Sequence, residues 1–250
     1  MSSPLAVLVV LAAAYGAAAG LLVPRARYRL AVEPEEPWRA ACPRGHALTG
    51  AARGWLGLAR CPGCRAGERD YATGAALTAA LTAVVCAVLA AAVGDRPELA
   101  VWLLLAPPMV LLADVDRVVH RLPDVLTLPL AGGAAALLGV ASLLPHSAGS
   151  WRRALLGGAA LGGAYLVLFL ISPSGMGFGD VKLALGLGIA LGWYGWAVLV
   201  LGAFAGLLLG SCYAVGLLAT RRATRGTGMA FGPFMILGAC AGLVLGGLAA

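Results

Sequence analysis

Charge is what this sequence lacks. Only 12% of its 250 residues are Asp, Glu, Lys or Arg, about half the share that a water-facing surface carries. A soluble α/β domain is thereby excluded. With 61% of residues hydrophobic, disorder and collagen are excluded as well. Lysine is almost missing: Lys182 stands alone among 18 basic residues, and acidic residues number eleven. The net charge of +7 does not make nucleic acid the expected partner, because half of the basic residues fall between Arg25 and Arg69. Such a cluster between apolar runs reads as an inside-facing loop. The class expected is an all-α integral membrane protein in contact with a lipid bilayer, its 36 glycines letting helices pack closely.

Uncharged stretches of about 20 residues mark the spans. The first five are Leu5–Val23, Ala75–Val93, Leu99–Ala113, Val125–Leu144 and Ala154–Ile171. The first has no basic n-region or evident cleavage site, so it reads as a retained span. Pro107 and Pro108 should kink the third. Leu183–Thr220 is 38 uncharged residues, about 57 Å of helix against a core of about 30 Å. It must be two spans, broken at Gly192-Trp193-Tyr194-Gly195-Trp196. Met229–Ala250 completes about eight. The chain therefore divides into a first transmembrane helix (1–23), an Arg- and Cys-rich loop (24–73) and a transmembrane core (74–250). With that loop inside, fifteen basic residues fall inside against Arg96, Arg152 and Arg153 outside. Treating the 38-residue run as one span worsens the count to twelve against six, so the eight-span topology is preferred.

Glu33, Glu35, Glu36, Glu68 and Asp70 belong to the loop, and Asp95 and Glu98 to an outside turn, where all are expected to be solvated. Four carboxylates remain. Asp114, Asp116 and Asp124 separate the third and fourth spans, and Asp180 the fifth and sixth, so all four emerge on the same inside face. Ionisable groups at that boundary are costly and mark function. Asp180 ends Gly175-Met176-Gly177-Phe178-Gly179-Asp180, where glycine admits positive φ or close backbone approach. Bland roles compete: Asp180 as a helix cap with Lys182 snorkelling, Asp124 as an N-cap after Pro123, Asp114 paired with Arg117. Asp116 has no local role beyond pairing with Arg117 or Arg121.

The element Asp116 to Asp124, followed some sixty residues on by Gly177-Phe178-Gly179-Asp180-Val181-Lys182, resembles the type IV prepilin peptidases, intramembrane aspartic proteases of the Gly-x-Gly-Asp type. The resemblance implies that Asp116 and Asp180 are catalytic, within motifs that also hold Gly177, Gly179, Lys182 and Asp124. It implies a substrate too: the leader of prepilins or pseudopilins, cut at the cytoplasmic face of the inner membrane. Two carboxylates held close share one proton, so one can deprotonate a water while the other polarises the scissile carbonyl. A proton-coupled polytopic transporter is the alternative. The absence of an inverted repeat and the gathering of carboxylates at one face favour the protease.

Cys42, His46, Cys61 and Cys64 follow a Cys-x3-His-x14-Cys-x2-Cys spacing inside the loop. This resembles a structural zinc site. Relatives carry two Cys-x2-Cys pairs, whereas Gly45 stands here at the second position with His46 next to it. Either histidine replaces that cysteine or the site is lost. In bifunctional family members the loop is linked to N-methylation of the product, so S-adenosylmethionine is expected only if that activity is retained. Cys86, Cys212 and Cys240 read as small packing residues within spans.

Overall fold

The structure, a computed structural model, describes residues 3–33, 35–65, 70–72, 74–173, 175–221 and 229–250. Glu68, Arg69, Arg222 and Arg225 of the sequence reading lie outside the described residues. Ten helices are found among those described: α1 Ser3–Gly20, α2 Val23–Leu30, the single turn α3 Ala51–Gly54, α4 Ala75–Val93, α5 Glu98–Val119, α6 Asp124–Ala141, α7 Trp151–Ile171, α8 Phe178–Tyr194, α9 Trp196–Ala219 and α10 Gly232–Ala249.

Among the described residues, seven stretches are long and apolar enough to cross a membrane, the first of them running Pro4–Leu30 through α1 and α2. The eighth expected span is α8, 17 residues long, or about 26 Å. It is the central helix of the bundle, with Leu183, Ala184, Leu191 and Trp193 almost wholly buried. The break after it falls where the sequence placed it: Gly195, at φ 131°, separates α8 from α9. That value lies in a region open to glycine and strained for other residues.

Glycine also sets how closely the helices pack. A Cβ on Gly157 would sit 2.6 Å from the Gly188 carbonyl oxygen, and one on Gly188 2.5 Å from that of Gly157, so α7 and α8 touch backbone to backbone. Gly16 and Gly20 seat α1 against Thr82 and Ala79 of α4 in the same way, and Gly238 lies against Gly202 and Gly206 of α9. Small residues at helix contacts are what lipid-embedded association requires.

Two expectations are corrected here. The third span does not end at Ala113. Its helix α5 runs through Pro107 and Pro108 to Val119, because Leu111, Val115 and Val119 continue an apolar stripe that packs on Val23, Ala26 and Leu30 of α2. Asp114 and Asp116 are therefore helical. Glu98 is not solvated: it is 0% exposed at the start of α5, where its Oε1 accepts the Ala148 N–H at 3.3 Å. The connection between α6 and α7 folds over it, a contact invisible to a hydropathy count.

Candidate active site and metal centre

The two aspartates arrive from different helices at one end of the bundle. Asp116 lies one turn before the end of α5, where His120 takes a left-handed conformation (φ 49°) and donates its N–H to the Asp116 carbonyl at 2.8 Å. Asp180 is the third residue of α8. Both are buried, at 4% and 9% exposure, and both line a cavity of about 970 Å3. Gly177, Gly179, Lys182 and Asp124 line the same cavity, so all six residues singled out in the two motifs are brought together.

Local chemistry explains the glycines unequally. None of Gly175, Gly177 and Gly179 has a positive φ, so conformational freedom is not the reason for them. Gly179 is required by space: a Cβ there would lie 2.9 Å from the Leu122 Cβ. Buried Leu122 is the wedge between the segments that carry Asp116 and Asp180, and α8 closes on it because Gly179 has no side chain. A Cβ on Gly177 meets the Asp180 Oδ2 at 3.7 Å and the Gly179 nitrogen at 3.9 Å, both ordinary contacts. Gly179→Ala is expected to reduce kcat/KM about 10²-fold by displacing Asp180 by a fraction of an ångström, whereas Gly177→Ala remains within a few-fold of wild type. Peptidase assays on the two variants in parallel check this, and equal effects would contradict it.

The bland roles are largely displaced. Asp124 is not the N-cap: Pro123 takes that position, and Asp124 is the first residue of α6. Its carboxylate instead pairs with the Lys182 Nζ at 2.6 Å, joining the starts of α6 and α8 at the cavity rim. Asp114 pairs not with Arg117 but with Arg27 of α2, at 3.1 Å. Among the described residues, Arg117 and Arg121 form no ion pair with the aspartates. Asp116 has a partner that the sequence reading missed: Oδ2 accepts the Gly232 N–H at 2.9 Å, across 116 residues of chain. The signal for it is Gly232-Pro233, glycine and proline at the first turn of α10, where an unpaired backbone N–H points outward. A Cβ on Gly232 would lie 2.8 Å from that oxygen, so glycine is sterically demanded here as well.

A second centre forms in the loop. The ligand atoms of Cys42, His46, Cys61 and Cys64 all fall within 4.8 Å of one another. The Cys42 Sγ lies 3.6 Å from the His46 Nδ1 and 3.8 Å from the Cys64 Sγ, and the Cys64 Sγ lies 3.4 Å from the His46 Nδ1. Tetrahedral zinc, with Zn–S about 2.3 Å and Zn–N about 2.0 Å, implies S···S edges near ~3.8 Å and S···N edges near ~3.6 Å. The donors are thus spaced to hold a metal ion. Gly45 is explained too: it has φ 83° in the turn in which Cys42 accepts the Gly45 N–H and donates its own to the His46 carbonyl. A turn of that shape favours glycine at 45 and presents the next side chain, His46, as donor.

Thiol acidity fits the same purpose. Burial opposes ionisation of Cys42, but N–H groups of Arg44 and His46 and the side chains of His46 and Cys61 bring it down to about 6. Burial, together with neighbouring Cys61 and Cys42, pushes Cys64 up to about 11. One thiolate forms readily and the next is penalised by its neighbours, a conflict that a bound dication removes.

A sequence profile of the type IV leader peptidase family matches residues 99–215, the stretch that contains both aspartates. The prepilin leader peptidase/N-methyltransferase of Aeromonas salmonicida (strain A449) is 32% identical, over 88% of this chain and 74% of its own length. This chain belongs to the type IV leader peptidase family. The corresponding protein of Aeromonas hydrophila is 32% identical over 83% of this chain and 72% of its own. That of Pseudomonas aeruginosa is 33% identical over 59% and 48%. No solved structure matches. The chain is a multi-pass membrane peptidase, and family membership decides against the transporter alternative.

Proposed function

We propose that the protein is an aspartic endopeptidase that removes the leader of type IV prepilins or pseudopilins at the cytoplasmic face of the inner membrane, with Asp116 and Asp180 as the catalytic pair. The observation that carries this reading is the convergence of the two buried carboxylates on one cavity. Like charges so placed in a poorly solvated site hold a single proton between them. The ionised member takes a proton from water as the water's oxygen attacks the scissile carbonyl. The protonated member hydrogen-bonds to the carbonyl oxygen and stabilises the charge that develops there. The tetrahedral intermediate then collapses, with the amine leaving as it accepts a proton from the first carboxyl. Either aspartate can begin as base, since the titration belongs to the pair. The Gly232 N–H fixes the Asp116 carboxylate, and the Lys182–Asp124 pair braces the entry side. The basic loop is tied to the cavity end of α5 through the Arg27–Asp114 pair, which supports the cytoplasmic side.

The loop centre would hold zinc in a structural role, since Cys42, His46, Cys61 and Cys64 would together supply the four protein ligands of a closed site. No part of the cleavage reaction passes through it. N-methylation of the new N-terminus, and with it S-adenosylmethionine, is extended to this chain only from its Aeromonas relatives, which are prepilin leader peptidase/N-methyltransferases. The test is purified protein in proteoliposomes given a full-length prepilin. Mass spectrometry is expected to show the pilin shortened by its leader, and an additional 14 Da only if the second activity is present. Uncut prepilin would overturn the reading.

A further inference from the structure

A second concavity, of about 320 Å3, lies beside the aspartate cavity and has no part in the chemistry above. Its floor is one stripe of α5, from Trp102 through Ala106 and Ala113 to Arg117, about 22 Å long at 1.5 Å per residue. Its walls are α4 and α10, represented by Leu81 and Leu237, both about half exposed. The walls meet at one end, where a Cβ on Gly247 would lie 3.0 Å from the Val93 Cγ2. At the other end they are held by different neighbours. α4 is tied to α1 through the Thr78 hydroxyl, which donates to the Gly20 carbonyl at 3.0 Å, and α10 is tied to Asp116 through Gly232. The groove is therefore closed away from the aspartates and open toward them.

Three features select its occupant. The lining is apolar along its length, with charge only at the open end, on Asp114 and Arg117. Asp114 is neutralised by Arg27, so the charge presented at the mouth is the exposed Arg117, for which no ion pair occurs among the described residues. Small residues, Ala106 and Ala113 of α5 and Gly186 and Ala190 of α8, interrupt larger ones such as Trp102 and Met109 along the groove, and at those points a helix backbone can approach; an acyl chain gains nothing particular from that. The groove also adjoins the cleavage site. Asp116 lines the cavity and the next residue, Arg117, lines the groove, and on α10 Phe231 and Pro233 divide in the same way.

We infer that this groove receives the apolar helix of the protein substrate, its N-terminal turn at Arg117, so that the peptide bond preceding the helix crosses α5 into the aspartate cavity. An acidic side chain in that first turn complements Arg117 and is favoured by the helix dipole. The inference rests on the proposed cleavage reaction and adds to it where the part of the substrate beyond the cut is held.

The test places a photo-cross-linking amino acid at position 81 or 237, or at Val200 on α9 as a control, in Asp180→Asn protein reconstituted with a prepilin. Cross-links to prepilin from 81 and 237 and none from 200 are expected. In otherwise wild-type protein, Leu81→Trp and Leu237→Trp narrow the groove from its exposed walls without entering the core. They are expected to raise KM for prepilin about tenfold with kcat held, the signature of lost binding that is shared by ground and transition states. Cross-links to phospholipid alone, or an unchanged KM in both tryptophan variants, would overturn the inference while leaving the aspartates' role intact. Conversely, undiminished cleavage by Asp180→Asn together with prepilin cross-links would remove the aspartate assignment and leave the groove standing.

Discussion

Asp116→Asn and Asp180→Asn are each expected to reduce leader removal by about 10³-fold or more while the protein still inserts and accumulates in the membrane. Positioned acid–base groups contribute about 10²–10⁴-fold, and here one pair supplies both functions, so neither residue can act in the other's absence. The substitution is nearly isosteric. An asparagine at 116 can still accept the Gly232 N–H through its amide oxygen, and removing a buried charge relieves desolvation, so lost activity cannot be blamed on lost folding. The double variant is expected to be no worse than either single one, because groups that work as a unit are not additive. Processing of a co-expressed prepilin, read as a mobility shift with membrane content measured in parallel, checks this. Normal processing by either single variant removes that residue from the catalytic pair.

The gross architecture was legible because lipid imposes simple arithmetic. Lengths of uncharged chain fixed the spans, and the excess of arginine on alternate connections oriented them, so the common face of Asp116 and Asp180 could be argued before any coordinates. What could not be read arises wherever packing continues after hydropathy stops. The boundary of α5 was set at the first charge, Asp114, yet the helix continues because Val115 and Val119 still face α2. Glu98 was assigned to solvent by position, yet a connection from elsewhere in the chain covers it. Gly232 was missed because its contribution is a backbone N–H, and backbone donors leave no residue-type signature. The ion pairs were misassigned for a related reason. Arg117 is nearer to Asp114 in sequence, but Arg27 reaches it in space from α2, a helix hidden within the span-loop boundary. Even the glycine motif was read correctly only in part: the pattern marks the site, but the reason for Gly179 is the Cβ of Leu122, not a backbone conformation.

Removal of metal from the loop should have the second large effect, one on folding and not on chemistry. The core of this small unit is Cys42, Leu48, Cys61 and Cys64, with Tyr28 and Tyr71 packed partly against it, and three of those four buried residues belong to the cluster whose donors could hold a metal ion. Without the ion there is little apolar surface left to hold 39–71 together. Side-chain contacts from α2 tie it to the bundle: the Arg25 Nε donates to the Gly54 carbonyl at 2.8 Å and its Nη2 to that of Thr49 at 2.6 Å, the Tyr28 hydroxyl donates to the Ala41 carbonyl at 3.2 Å, and the Arg29 guanidinium donates to the Arg53 carbonyl at 3.1 Å and lies 4.0 Å over the Trp55 ring. These fasten the loop to the bundle but do not fold it. Structural zinc contributes about 10–16 kcal/mol of apparent binding energy in small domains, far more than a few such contacts supply. Purified protein should therefore contain about one equivalent of zinc, which is lost in a Cys61→Ser, Cys64→Ser variant. That variant should become sensitive to limited proteolysis within 39–71 while α4 to α10 stay protected. Among the described residues, none of the loop lines the aspartate cavity, so cleavage should fall much less than in Asp116→Asn or Asp180→Asn. Metal-free wild-type protein with a protease-resistant loop would show that the four donors pack without an ion and would remove zinc from the account.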